Sequence, residues 1–172
     1  MNVEDNKALV RRFIEEGMVG GDGDLIAEFC EPGSLFARGV VGQIASMHSL
    51  FPDLDLSIDG LIAEGDQVVA RVRVTGTNTG PIIGLPGFGK VPAPIAPTGR
   101  AVSYTAVYVF TLHNGRIRGY SAEVDQVGLL GQLGWTFTPP GGQPLVPPAL
   151  TEGLPRPLAL PAPWSSARSI VG

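Results

Sequence analysis

Along residues 3–19 the apolar positions recur at helical spacing. Val10, Phe13, Ile14 and Met18 line one stripe, with Arg11, Arg12, Glu15 and Glu16 between them. The pattern predicts an amphipathic helix that breaks at Gly20-Gly21-Asp22-Gly23. A second, short helix is expected from Asp24 to Cys30, stopped by Glu31-Pro32-Gly33. A third fits residues 42–51, where Ile44, Met47, His48 and Phe51 share a stripe.

The period then changes to two. Leu54, Leu56 and Ile58 alternate with Asp55, Ser57 and Asp59. After the turn signal Glu64-Gly65-Asp66, a strand is expected with Val68, Ala70, Val72 and Val74 on one face and Val69, Arg71 and Arg73 on the other. Residues 101–112 give the clearest strand, its even face carrying Val102, Tyr104, Ala106, Tyr108, Phe110 and Leu112. His113-Asn114-Gly115-Arg116 reads as a hairpin, because Asn-Gly suits the two positive-φ positions of a type I′ turn. The return strand runs from Ile117 to about Val124. A last helix, from Gln126 to Leu133, carries Val127, Leu130 and Leu133.

Two segments read as irregular. Residues 80–99 are rich in proline and glycine and predict a long loop. Its Gly84-Leu85-Pro86-Gly87-Phe88-Gly89 lacks the Lys-Ser/Thr pair and the strand–loop–helix setting of a phosphate-binding loop. It is better placed at the mouth of a pocket, with Phe88 as part of a lid. Residues 136–172 hold nine of the 16 prolines and form an extended tail, distinct from a domain over 1–135. The tail is either a disordered appendage or a strap on the body or on a second subunit.

Composition narrows the function. The 172 residues are 44% hydrophobic and 16% charged, enough for one domain with a real core. Twelve Lys and Arg are scattered among 16 acids, for a net charge of −4, which argues against nucleic acid as a partner. One cysteine, Cys30, and two histidines, His48 and His113, give no disulfide framework and no ordinary metal site. The N-terminus is polar and acidic, unlike a secretory signal, and no apolar run reaches the ~18 residues of a membrane span. The expected location is cytoplasmic, with no membrane partner and no cofactor.

Several stretches resemble SnoaL-like polyketide cyclases of the nuclear-transport-factor-2-like superfamily. They are Phe51-Pro52-Asp53, Ala63-Glu64-Gly65-Asp66-Gln67-Val68, Gly76-Thr77-Asn78-Thr79-Gly80, Asn114-Gly115-Arg116-Ile117 and the run from Asp125 to Gly134. The resemblance covers about residues 5–135. It implies an α+β cone, with three N-terminal helices packed on a curved antiparallel sheet, and a homodimer formed through the open face of that sheet. It also implies a cofactor-free enzyme that closes a ring in a polyketide-like small molecule, using an acid–base aspartate on the strand after the hairpin.

Carried over residue by residue, the resemblance puts that aspartate's position on Ala122. A helping histidine falls on Tyr108, a helping amide on Ala106 and a further histidine on Tyr120, while Asn78 stands where many relatives have histidine. Alanine cannot move a proton, so the family's aldol mechanism does not transfer to this chain.

The residues themselves leave two arrangements open. With Asn114-Gly115 as a two-residue loop, simple hairpin arithmetic sets Tyr108 near Ser121 and Ala106 near Glu123. Glu123 and Asp125 then face the cavity, where a carboxylate with a raised pKa could act as acid or base. The family count instead puts Tyr120 and Ala122 inside. A bulge would reconcile the two. Asp125 also reads as a helix N-cap, and Glu123 as a solvated charge on the outer face.

Tyr108 joins Glu123 and Asp125 as a catalytic candidate, and the remaining candidates for substrate binding are Tyr104, Arg73 beside Arg71, and His48; Tyr104 and Tyr108 also read as core aromatics. For His48 the competing reading is a core histidine bonded to a backbone carbonyl. Three functions follow: a cyclase working by substrate folding, with hydrogen-bond or acid–base help and even a pericyclic closure; an epoxide-opening hydrolase or ether-ring cyclase; and a non-catalytic binding or assembly module.

Overall fold

In the computed structural model, residues 2–85 and 89–142 are described. Phe88 and most of the proline-rich tail lie outside them. Helix α1 (Val3–Arg12) starts at a capping box, in which the Asn2 side chain accepts from Asp5 N and the Asp5 carboxylate from Asn2 N. The expected continuation to residue 19 is helical but wider, a π-helical segment at Phe13–Met18 with Val19 N donating to Ile14 O. The extra residue per turn brings Phe13, Ile14, Gly17 and Met18 all inward. Helix α2 (Gly23–Phe29) is capped by Asp22, and α3 (Leu35–Leu50) by Ser34, whose Oγ accepts from Ala37 N. Helix α3 thus begins about two turns earlier than its hydrophobic stripe indicates.

Strands β1 (Asp55–Glu64), β2 (Gln67–Thr77), β5 (Ala101–His113) and β6 (Arg116–Val124) form one antiparallel sheet in the order β1-β2-β5-β6. Together with the helices this is the expected α+β cone. The even residues of β2 and β5 are buried beneath the helices, as their alternation demands. Asn114 and Gly115 both have positive φ, 49° and 73°, as the type I′ turn requires.

The hairpin β5–β6 does not keep simple arithmetic. His113 pairs with Arg116 and Leu112 with Ile117, but Thr111 pairs with Gly119, so Arg118 is an extra residue. Beyond this bulge the parity of β6 flips: Tyr120 faces Phe110, Ala122 faces Tyr108 and Val124 faces Ala106. The helical side of the sheet therefore receives Tyr120 and Ala122, and Glu123 is displaced to the outer face opposite Val107.

The long-loop expectation for residues 80–99 is also corrected. The segment forms a separate two-stranded ribbon, β3 (Ile82–Leu85) and β4 (Gly89–Ile95). Pro92 and Pro94 fall between the paired positions Lys90 and Ile95, where no ladder hydrogen bond is lost. Fully buried Asn78 ties both ends of this excursion. Its Nδ2 donates to Leu50 O and Gly80 O, and its Oδ1 accepts from Thr98 N and Oγ1. At Gly80 a Cβ would collide with the backbone of Ser49, so only glycine fits. Helix α4 (Gln126–Gln132) closes the described body, its first turn capped by Asp125, which accepts from Gly128 N at 2.9 Å.

Candidate functional site

A cavity of about 100 Å³ lies between α3, the π-helical segment and the inner face of the sheet. Its apolar walls come from Met18, Ile44, Met47, Leu54, Leu56 and Val74. Its aromatic wall is Tyr104 and Tyr108 from β5 and Tyr120 from β6. Ala122 and Val124 continue that wall, and Gln43 and Gln126 supply carboxamides. The room is nearer to one ring than to a larger ligand, since pockets for drug-sized ligands span ~300–1,000 Å³. Two of the walls are methionines, whose unbranched side chains repack at small cost.

The aromatic wall is built as an edge-to-face array. Tyr108 and Tyr120 have ring centroids 5.1 Å apart at 88°, and Tyr120 meets Phe110 at 5.4 Å and Phe36 at 5.2 Å. The Tyr120 hydroxyl donates to Gln43 Oε1 at 3.0 Å. Burial pushes the Tyr108 phenol up to about 12. It raises Tyr104 and Tyr120 as well, with a smaller push on each from Tyr108; for Tyr120 the bond to Gln43 opposes the rise. All three are therefore neutral hydroxyls at physiological pH, able to donate a hydrogen bond and unable to act as phenolate bases.

This has a consequence for stability. Tyr108 is raised from its ordinary 10.0 to about 12 on folding. Below 10 it is protonated in folded and unfolded chains alike. As pH rises from 10 towards 12 the unfolded chain gives up the proton first, and stability falls by on the order of 2–3 kcal/mol. Thermal melts across that window should show Tyr108→Phe losing less than wild type; equal losses would mean a solvated hydroxyl.

Of the residues singled out in the sequence, the fold brings Tyr104, Tyr108, Tyr120 and Ala122 together. The others stand elsewhere. Glu123 is exposed on the outer face, and Asp125 is exposed and serves as the α4 cap. Ala106 is 1% exposed and packed between Val72 and Val124 rather than open to the cavity. Asn78 is the structural tie described above. Arg73 lies on the outer face, 3.6 Å from the Asp59 carboxylate. His48 donates from Nε2 to Met18 O at 2.8 Å, the backbone-carbonyl role, and so holds the π-helical segment against α3. Buried Cys30 donates to Ile26 O, its thiol pushed up to about 11 by burial, and behaves as a small apolar residue. Exposed His113 pairs with Glu31 at 2.6 Å beside the hairpin turn.

Sequence reasoning missed Gln43, Gln126, Met18 and Met47 as pocket residues. Gln43 had a signal: it stands four residues before Met47 and one before Ile44, on the flank of the same helical stripe. Among the described residues, no group of three or more His, Cys, Asp or Glu is placed to hold a metal ion, and no helix is long and apolar enough to cross a membrane.

Residues 8–133 match the family model described as SnoaL-like polyketide cyclase. Among solved structures, TsrD from Streptomyces laurentii is 25% identical, with a TM-score of 0.66 over 78% of this chain and 98% of that one. AclR from Streptomyces galilaeus, proposed to be a hydroxylase, is 23% identical, with a TM-score of 0.64 over 77% and 83%. A protein from Jannaschia sp. CCS1, proposed to be a SnoaL-like polyketide cyclase, is 24% identical, with a TM-score of 0.63 over 76% and 92%. The last two likenesses speak for the fold alone. No curated protein matches the chain.

Proposed function

Because the chain belongs to the SnoaL-like polyketide cyclase family, we propose that it closes a ring in a polyketide-like intermediate, without a cofactor, by folding the substrate against neutral hydrogen-bond donors. One observation carries this reading. The cavity is lined by three tyrosines and two carboxamides among apolar residues, and among the described residues no carboxylate or histidine lines it. Such a wall selects a folded conformer and bonds a carbonyl oxygen as charge gathers on it. Bringing the reacting ends into a near-attack geometry lowers the barrier by several kcal/mol without proton abstraction by a strong base. Tyr108, buried and neutral, is the donor best placed to steady such an oxygen. Pericyclic closure, or an addition assisted by a tyrosine, fits this wall. The methionine side chains at Met18 and Met47 would move aside to admit a substrate larger than one ring.

An epoxide-opening hydrolase needs carboxylates at the reacting carbon, and Glu123 and Asp125 lie away from the cavity. A binding module without catalysis uses the same cavity, and the absence of an acid–base residue in its lining favours that as the second reading. Turnover separates the two. The purified protein is incubated with synthetic linear β-polyketone chains, and ring formation is followed by mass and ultraviolet absorbance against buffer alone. Acceleration supports the cyclase; tight binding of the chains with no acceleration supports the binding module. Glu123→Gln and Asp125→Asn should keep near-wild-type rates, whereas Tyr108→Phe should lose about tenfold, the size of one hydrogen bond. A loss of ~100-fold or more in either carboxylate variant would restore general acid–base catalysis by that residue. A homodimer through the outer face of the sheet, in the cytoplasm, belongs to the same proposal.

A further inference from the structure

Gln43 and Tyr120 meet at the exposed side of the cavity, Gln43 exposed on α3 and Tyr120 half-buried on β6. The Tyr120 ring is held by Phe36, Tyr108 and Phe110 in edge-to-face contacts, so its hydroxyl is aimed before any ligand arrives. That hydroxyl spends its proton on Gln43 Oε1. What remains to the pair at the cavity rim is an acceptor, the Tyr120 oxygen, and a donor, the Gln43 amide N–H. Turning the carboxamide over reverses both partners: Tyr120 then donates to the ligand and Gln43 Oε1 accepts. In either orientation the pair offers one donor and one acceptor side by side.

The group that answers such a pair is a hydroxyl, which donates once and accepts once. A ketone or ether oxygen engages only the donor of the pair, whereas a hydroxyl engages both. The rest of the wall sets the remaining chemistry. Among the described residues no charged side chain lines the cavity, so an anion would lose its hydration without compensation from them. A cavity of about 100 Å³, against the ~150 Å³ of a cavity that takes benzene, has room for one ring at most. We propose that Gln43 and Tyr120 form a hydroxyl-selective anchor that takes a neutral enol or phenol carried on a six-membered ring. The inference rests on the reading of this cavity as the substrate pocket. It makes Gln43 a specificity-determining residue that positions the ring.

The test uses phenol, anisole and toluene as probes of the full-length protein. Binding is read from amide shift changes at Gln43, Tyr120 and Ala122. Phenol is the more strongly hydrated of the phenol–toluene pair, so burial alone would favour toluene. Wild type is expected to bind phenol about tenfold more tightly than toluene or anisole. Gln43→Leu, a helix-compatible change at an exposed position, should erase the preference while keeping toluene affinity, and Tyr120→Phe should do the same. Equal affinities in wild type, or a phenol preference that survives Gln43→Leu, would overturn the anchor and leave the cyclase reading standing. If no probe moves the cavity amides, the pocket assignment falls and takes both readings with it. A phenol preference without turnover on polyketone chains would remove the cyclase reading alone.

Discussion

Turnover in an Ala122→Trp variant is expected to fall at least ~100-fold, with a melting temperature close to that of wild type. Ala122 pairs with Tyr108 across β5–β6, lines the cavity and is nevertheless exposed. It therefore sits where the cavity reaches solvent. An indole there has open space to enter, so it blocks the ligand without forcing apart packed neighbours. Ala106→Phe supplies the contrast. That alanine is buried at 1% exposure in the same layer of the sheet, between Val72 and Val124, and an added ring should cost ~1–3 kcal/mol through overpacking. Steady-state rates and thermal melts on both variants decide the matter. Full activity in Ala122→Trp would mean that substrate does not pass this position, and a collapse of its melting temperature would mean that the position is packed and not open.

The pair Ala106 and Ala122 also shows what the sequence could reveal. Alternation along 102–112 is enough to put Tyr104, Ala106 and Tyr108 on the inner face, because a strand's faces follow from parity. Whether an inner-face alanine borders a void or fills a gap depends on the neighbouring strands and on α3, and no local pattern records it. The parity of β6 was harder still. Asn114-Gly115 fixes the turn, yet the bulge at Arg118 shifts everything after it by one residue, and nothing in Arg116-Ile117-Arg118-Gly119 marks that position uniquely. Only the resemblance to the cyclase family put Tyr120 and Ala122 inside. The early start of α3 is masked in the sequence because Gly39 and Gly42 dilute the helical pattern, although Ser34 suits an N-cap. The ribbon β3–β4 is hidden in the sequence because proline usually argues against a strand, and here Pro92 and Pro94 occupy positions without ladder partners.

Phe13→Ala should be the most destabilising single change, at about 3–5 kcal/mol. Phe13 opens the π-helical segment and is fully buried. Its ring meets Phe29 of α2 at 5.8 Å, Phe36 of α3 at 6.4 Å and Phe110 of β5 at 5.8 Å, so it ties three helical elements to the sheet. Truncation leaves a void bounded by rings from different elements, which cannot all close on it at once. Against a total stability of ~5–15 kcal/mol, the loss is a large share, equivalent to roughly 10–20 °C in melting temperature for a domain of this size. The damage should extend to the cavity, because Phe110 and Phe36 both pack on Tyr120. Phe13→Leu, which keeps most of the volume, should lose less than half as much. Denaturant unfolding of the three proteins measures this, and an Ala variant within ~1 kcal/mol of wild type would show that the helices are held to the sheet by other contacts.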